Sequence, residues 1–247
     1  MDKLGEFELD KVYCVDCYKA IKDVPDKSID LIITDPPYLI RNTKAGGVSE
    51  LAKSIQNMND ELEDNNLTSG INEDILNELI RVSKTINMYI WCSKDQIPQY
   101  IKYFVLERQC AFDILCWNKT NAMPLFNNKY LTDKEYCLYF RKGAYCCPQS
   151  YEDAKTIWYQ PINIRDKELF KHTTIKPLNI IETLVRNSSK KGDIVLDCFC
   201  GSGTTCVAAK ELERHFLGFE ISKKWCGVAE NRLNKIDANG QISLFLN

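Results

Sequence analysis

Two short apolar runs end in strings too specific to be ordinary turns, and their order restricts the folds open to this chain. Ile29–Thr34 leads into Asp35-Pro36-Pro37-Tyr38. Far downstream, Ile194–Cys198 leads through Asp197-Cys198-Phe199-Cys200-Gly201-Ser202-Gly203-Thr204-Thr205 into a helical pattern. Runs this short and apolar on both alternating sets of positions suit parallel strands covered on both faces. Further strands are predicted at 11–16, 87–92, 111–117 and 215–220, with 135–140 pairing antiparallel beside its neighbour. Helical periodicity falls at 72–84, 95–107, from Pro177 to about Val185, through Glu213 and at 222–234, where Ser222 suits an N-cap. A helical turn is expected around 18–24. Alternation of this kind predicts an α/β fold with a doubly wound, mostly parallel sheet. Two stretches break it: residues 41–70 are polar and loop-like, and periodicity is lost from 141 to 171, which reads as loop or a small lobe.

At 247 residues, with 45% hydrophobic and 27% charged residues, one sizeable soluble domain is expected. No window approaches the roughly 18 apolar residues of a membrane span. Met1–Glu6 lacks the pattern of a signal peptide, so a cytoplasmic protein is expected. Of the twelve cysteines, Cys14 and Cys17 form a Cys-x-x-Cys, but no second pair follows at zinc-site spacing and there are only two histidines. The thiols are read as reduced core side chains, and no metal is expected. A net charge of −2 speaks against a uniformly basic nucleic-acid binder, but phosphate contact needs only local charge. Residues 129–176 hold Lys129, Lys134, Arg141, Lys142, Lys155, Arg165, Lys167, Lys171 and Lys176 with few acids; a solvated surface is the plain alternative.

The downstream string places Gly-x-Gly between a strand and a helix, where backbone can approach a ligand at a helix N-terminus. Glu220 ends the next strand, where a carboxylate suits ribose hydroxyls. The third glycine of a dinucleotide loop is missing, and Asp197 would repel a pyrophosphate. A cationic nucleoside carrying an amino acid fits, which points to S-adenosylmethionine. In the upstream string, two prolines remove backbone donors and leave carbonyls free to accept. Asp35 and the Pro36 carbonyl can each take one hydrogen of an exocyclic amino group, and Tyr38 offers a face to a planar base. A proline turn capped by Asp35 is the structural alternative.

With both strings in view, the chain resembles the DNA amino-methyltransferases acting on N6 of adenine or N4 of cytosine. The acceptor string first and the cofactor string last is similar to their beta group, which implies a circularly permuted Rossmann-like methyltransferase fold. Val15-Asp16-Cys17 resembles the short motif ahead of the acceptor strand, and His172-Thr173-Thr174-Ile175-Lys176-Pro177 resembles His-Pro-Thr-Gln-Lys-Pro. Ile90-Trp91-Cys92, Cys116-Trp117-Asn118-Lys119 and the segment from Glu135 to Gly143 fall where later sheet motifs lie. Departures at Thr173, Ile175, Cys198 and Cys200 remove no carboxylate, no glycine and not the lysine.

The resemblance implies one methyltransferase domain over 1–247, with 141–171 as a short target-recognition region. It implies catalysis by Asp35, Pro36, Pro37 and Tyr38. Cofactor binding would fall to Asp16, Cys17, His172, Thr174, Lys176, Asp197, Phe199, Gly201, Gly203, Thr204, Thr205 and Glu220. The partner implied is double-stranded DNA with its target base flipped onto Tyr38. Lys155, Trp158, Tyr159, Gln160, Asn163, Arg165 and Lys167 are the candidate base readers, and the 41–70 loop could close over the base. In this family Asp in the first position accompanies adenine more often than cytosine, which favours N6. N4-cytosine methylation is the alternative, followed by a DNA-binding protein on an inactive methyltransferase fold and by methylation of RNA or a protein amide. A companion restriction enzyme and a homodimer are left open.

Overall fold

The computed structural model describes residues 2–39, 56, 70–122, 130–162 and 175–235. A short antiparallel ribbon, β1 (Lys3–Leu4) and β2 (Phe7–Glu8), precedes β3 (Lys11–Cys14). Helix α1 (Cys17–Ala20) and a 3-10 turn (Ile21–Asp23) lead to β4 (Leu31–Thr34). Then come α2 (Glu73–Val82), β5 (Ile86–Cys92) and α3 (Ile97–Tyr100), the last continuing as a π turn over Ile101–Leu106. A long hairpin follows, β6 (Ala111–Lys119) and β7 (Lys134–Lys142), then β8 (Ile157–Gln160). The last part is α4 (Leu178–Ser188), β9 (Ile194–Asp197), α5 (Thr204–Glu211), β10 (His215–Glu220) and α6 (Lys223–Asn234).

Eight strands form one sheet in the order β3-β10-β9-β4-β5-β7-β6-β8. Strand β7 runs antiparallel to both its neighbours, and every other pairing is parallel. The expected doubly wound sheet is therefore present. Its permutation is visible at the centre. The chain winds outward from β4 to one side and, much later, from β9 to the other. The two meet in parallel register, Leu31 with Val195 and Ile32 with Leu196. That junction is the topological switch point, where open α/β sheets leave a crevice beyond their strand ends.

Alternation along the strands sorts the core into two layers. Ile32, Met88, Ile90, Leu196 and Leu217 face Ile75, Leu76, Leu79 and Val82 of α2 and Tyr100, Tyr103 and Phe104 of the α3 segment. Leu31, Ile33, Val195 and Phe216 face Ile181, Leu184 and Val185 of α4 and Val207–Ala209 of α5. Truncating a fully buried member such as Leu79 to alanine is worth about 2–5 kcal/mol. Helix α2 begins where Asn72 accepts a hydrogen bond from the Ile75 amide at 3.2 Å, with Glu73 and Asp74 complementing the helix dipole.

The structure departs from the sequence reading in four places. The 95–107 helix starts late, with Pro98 in its first turn, and ends as a π turn. Both Tyr103 and Phe104 are buried there, Phe104 stacked on Phe140 at 4.3 Å. Residues 157–160, read as loop, form strand β8 parallel to the end of β6. None of the four is fully buried, as befits an edge strand, so the alternation that announces a strand is weak there. Pro177 precedes the α4 helix rather than opening it, with ψ at 125°, and Ser222 occupies the N-cap position without a side-chain capping bond. The polar 41–70 stretch lies outside the described residues except Gln56 and Gly70. Among the described residues no helix is long and apolar enough to cross a membrane.

Candidate active site

The site begins at the switch point. The Thr34 hydroxyl, at the end of β4, donates to Asp197 Oδ1, at the end of β9, across 2.9 Å. The Phe199 amide donates to the same oxygen at 3.1 Å. Asp197 is buried, and burial raises its carboxyl to about 7 against the pull of the Thr205 hydroxyl, the Phe199 amide and the Thr34 hydroxyl. Beyond Asp197 the loop turns on Gly201 (φ +51°) and Gly203 (φ +77°), both in the left-handed region. A side-chain carbon at Gly203 would also sit 2.8 Å from Ala229 Cβ, so the loop lies directly on α6.

Two further residues hold this cradle. Glu220, at the end of β10, accepts from the Gly201 amide at 2.9 Å through one oxygen and from the Ser222 amide at 2.8 Å through the other. Burial pushes its carboxyl up, and those amides oppose the shift. Arg232, buried on α6, donates to the Ser202 carbonyl (2.8 Å), the Ser202 hydroxyl (3.0 Å) and the Thr204 hydroxyl (2.9 Å). Asp16, just past β3, caps α1 by accepting from the Tyr18 amide at 3.0 Å. Cys17 is buried with its thiol against Cys198. Phe199 stands edge-on to Tyr18 at 6.4 Å between ring centres.

Asp16, Glu220 and Asp197 thus stand at the same ends of three neighbouring strands, beside a loop that a ligand's backbone-close groups can reach. Three carboxylates suit hydroxyls and a cation and would oppose a pyrophosphate. The residues present fit an aminoacyl nucleoside of positive charge.

Next to this cradle, the acceptor loop continues from β4. Pro36 is buried, and the Pro37 carbonyl accepts from Gln96 Nε2 at 3.2 Å. Gln96 is itself buried and fixed by the Ser93 amide (3.0 Å) and hydroxyl (3.1 Å). The ammonium of Lys176 is hydrogen-bonded to Asp35 Oδ2, while Asp35 Oδ1 is buried without a partner among the described residues. Lys176 Nζ also lies 3.1 Å from Glu135 Oε2 and 5.6 Å from the Tyr38 ring centre. Glu135 in turn pairs with Lys119 at 2.5 Å. Burial lifts the Asp35 carboxyl above its ordinary range, with Lys176 opposing and Glu135 adding to the lift. Burial would lower Lys176, but Asp35 and Glu135 outweigh it and hold the ammonium charged. Burial, Asp35 and Glu135 keep the Tyr38 phenol protonated.

The structure brings Asp35–Tyr38, Asp197, the glycine loop, Glu220 and Asp16 to one edge of the sheet. Lys176, expected beside a cofactor, has its ammonium on Asp35. The Thr204 hydroxyl is occupied by Arg232. His172 and Thr174 lie outside the described residues, as do the candidate readers Asn163, Arg165 and Lys167. Of the other readers, Lys155 is paired with Glu152, Trp158 packs against the α4–α5 layer, the Gln160 carbonyl accepts from Trp117 Nε1, and Tyr159, paired with Asn118, is exposed. Gln96, Arg232 and Thr34 were not anticipated. The spacing of Arg232 from Cys226 and Ala229, which puts it on the apolar face of α6, is a signal too weak to have found it. Among the described residues no cluster of His, Cys, Asp or Glu could hold a metal ion.

Known proteins resemble this chain over most of its length. The N6/N4 methyltransferase family model, described as DNA methylase, matches residues 29–231. The type II methyltransferase M2.LlaDCHI of Lactococcus lactis subsp. cremoris is 31% identical over 239 residues, covering 89% of this chain and 87% of its own. M2.DpnII of Streptococcus pneumoniae, also a type II methyltransferase, is 30% identical over 237 residues, covering 88% and 87%. Among solved structures, the M1.HpyAVI–SAM complex superposes with a TM-score of 0.64 at 29% identity, covering 91% of this chain and 98% of that one. The cytosine-N4-specific PvuII DNA methyltransferase shares the fold, with a TM-score of 0.68 at 14% identity over 92% of this chain and 86% of that one.

Proposed function

Since the chain belongs to the N6/N4 DNA methylase family, we propose that it methylates the exocyclic N6 of adenine at a fixed sequence in double-stranded DNA. The observation that carries this reading is the open acceptor, Asp35 Oδ1, buried beside the glycine cradle at the switch point. S-adenosylmethionine, when bound, supplies an electrophilic sulfonium methyl group. Glu220 and Asp16 suit its ribose and adenine side, and Asp197 suits its charged end. The residues of the chain do the rest. An aromatic amino nitrogen is a poor nucleophile because its lone pair is delocalised into the ring. Hydrogen bonds from that nitrogen to Asp35 Oδ1 and the Pro36 carbonyl favour a pyramidal geometry with an available lone pair. A carboxyl lifted by burial also accepts the departing proton more readily than an exposed one. Most of the acceleration is positional, since two groups are held in line at the ends of adjoining strands.

The target nitrogen is out of reach inside a duplex, so the base is extruded and stacked on Tyr38, at a cost of a few kcal/mol. The 141–171 region is the recognition segment. Its described part is anchored to the sheet by β8, where the exposed Tyr159 pairs with Asn118 near the end of β6. Asp in the first position of Asp35-Pro36-Pro37-Tyr38 supports adenine over cytosine. The kinship with type II methyltransferases supports a role beside a restriction enzyme.

The test is modified-base sequencing of DNA from a methylation-free host expressing the protein. N6-methyladenine at one recurrent motif is expected. N4-methylcytosine at a recurrent motif would replace the adenine reading, and unmodified DNA with no binding of S-adenosylmethionine by the pure protein would overturn the reading altogether.

A further inference from the structure

We infer that Glu135 is a positioning residue for the reaction proposed above: backed by Lys119, it seats Lys176 so that the ammonium grips one oxygen of Asp35 and leaves the other open to the target amino group. The inference rests on that functional reading and extends it to a residue two strands away.

Four charges alternate along the active edge of the sheet, Asp35, Lys176, Glu135 and Lys119, each paired with the next. They come from four separate segments: the loop after β4, the approach to α4, the start of β7 and the end of β6. In the sheet β7 is separated from β4 by β5, so Glu135 and Asp35 stand about 10 Å apart at the backbone. Both carboxylates reach the ammonium of Lys176, which stands between their charges. The chain of ion pairs is built inward: Lys176 is 7% exposed, Glu135 13% and Lys119 16% at the side chain.

The physical consequence concerns the lysine's freedom. A buried ammonium must satisfy its charge wherever it can. With Glu135 present, its charge is divided between two carboxylates on opposite sides, and only Asp35 Oδ2 is engaged. Without Glu135, the ammonium has one carboxylate left and gains most by moving between both of its oxygens. Asp35 Oδ1 would then no longer be an open acceptor. Lys119 does for Glu135 what Glu135 does for Lys176, since it holds the second oxygen of that carboxylate. In this role Glu135 acts through Lys176, its partner on the active edge, and not on the reacting atoms.

The decisive measurement is steady-state methylation of a duplex carrying the motif, together with calorimetric binding of S-adenosylmethionine, for the wild type, Glu135→Gln, Glu135→Asp and Lys119→Met. Glu135→Gln is expected to lower kcat about a hundredfold, the scale of a misplaced reacting group, with KM and cofactor affinity within about threefold of wild type. Glu135→Asp keeps the charge and should regain about tenfold of the loss. A Glu135→Gln protein at wild-type kcat would overturn the inference, as would equal losses in KM and cofactor binding or an aspartate variant no better than the glutamine. Should Glu135→Gln melt below assay temperature, Lys119→Met keeps Asp35, Lys176 and Glu135 but frees the second oxygen of Glu135, which loosens its hold on Lys176. It should then lower kcat several-fold at unchanged KM, and wild-type kcat there would also overturn the inference. A wild type that methylates no DNA would instead strike the functional reading itself, so the two failures are told apart.

Discussion

Thr34 Oγ1 lies 2.9 Å from Asp197 Oδ1, although the two residues are 163 positions apart in the chain. This single hydrogen bond ties the last residue of β4 to the last residue of β9. It is made possible by parallel register between β4 and β9, Ile32 beside Leu196. The loop after β4 and the glycine loop after β9 therefore open at the same switch point of the sheet. The bond also holds the Asp197 carboxylate down against the effect of its burial.

Thr34→Val removes that hydroxyl and keeps the shape. Losing one hydrogen bond to a buried carboxylate is worth about 1.5–3 kcal/mol, and it leaves Asp197 more fully protonated near neutrality. Stability should fall by that amount, and affinity for the cationic cofactor should fall several-fold because more of Asp197 is neutral. Calorimetry on the variant checks this. Wild-type affinity would show that the tie has no role in holding the cofactor site.

Asp35→Ala separates the two halves of the site. Methyl transfer should fall by about 10²–10⁴-fold, as for loss of a positioned acid–base group. The cradle at Gly201–Gly203 and Glu220 is untouched, so binding of S-adenosylmethionine should stay within a few-fold. Single-turnover transfer measured beside calorimetry decides it. A variant that still methylates DNA at near wild-type rate would remove Asp35 from the chemistry.

Much of this arrangement was legible in the sequence, for identifiable reasons. Runs such as Ile29–Thr34 and His215–Glu220 are apolar on both faces, and helices such as α2 carry an apolar face with a capping Asn72, so local pattern and tertiary position agree. The four-residue β8 has no buried side chain to mark it, and its pairing with β6 is a long-range event. The same holds for individual residues. Lys176 could be placed in a string ahead of a helix. Its contact with Asp35 depends on how β4, β5 and β7 lie side by side, which no local window contains. Gln96 and Arg232 are single polar residues within helical patterns. Only their burial and their partners, the Pro37 carbonyl and the Ser202–Thr204 turn, disclose that they hold the site's two loops.

Asp197 should also make stability depend on pH in an unusual direction. Its folded-state carboxyl titrates at about 7, against an ordinary value of 3.8, because it is buried. Between those values the folded protein holds a proton that the unfolded chain releases. The contribution is therefore fully present below about pH 4, is lost as pH rises to about 7, and is a constant cost above that. The size is on the order of 4 kcal/mol. Asp197→Asn stays neutral throughout, so its melting temperature relative to wild type should climb from pH 4 to pH 7 and then level off. Melting curves of the two proteins without cofactor test this, because other titrating groups cancel in the difference. A gap that does not vary with pH would mean that Asp197 is ionised throughout this range.

Gly203 tests the cradle itself. At φ +77° an L side chain is strained, and its Cβ would lie 2.8 Å from Ala229 Cβ on α6. Gly203→Ala should therefore cost about 1–3 kcal/mol for the backbone and at least as much again for the clash. Part of that appears as a lower melting temperature. The rest appears as weaker cofactor binding, because the loop must lift from the helix. Ala229→Gly removes the clashing atom but not the backbone strain. The double variant Gly203→Ala/Ala229→Gly should then recover a portion of the stability and affinity lost by Gly203→Ala alone, beyond the sum of the single effects. Thermal melts and calorimetry on the four proteins of this cycle measure that coupling, and strict additivity would show that the loop does not rest on α6 in solution.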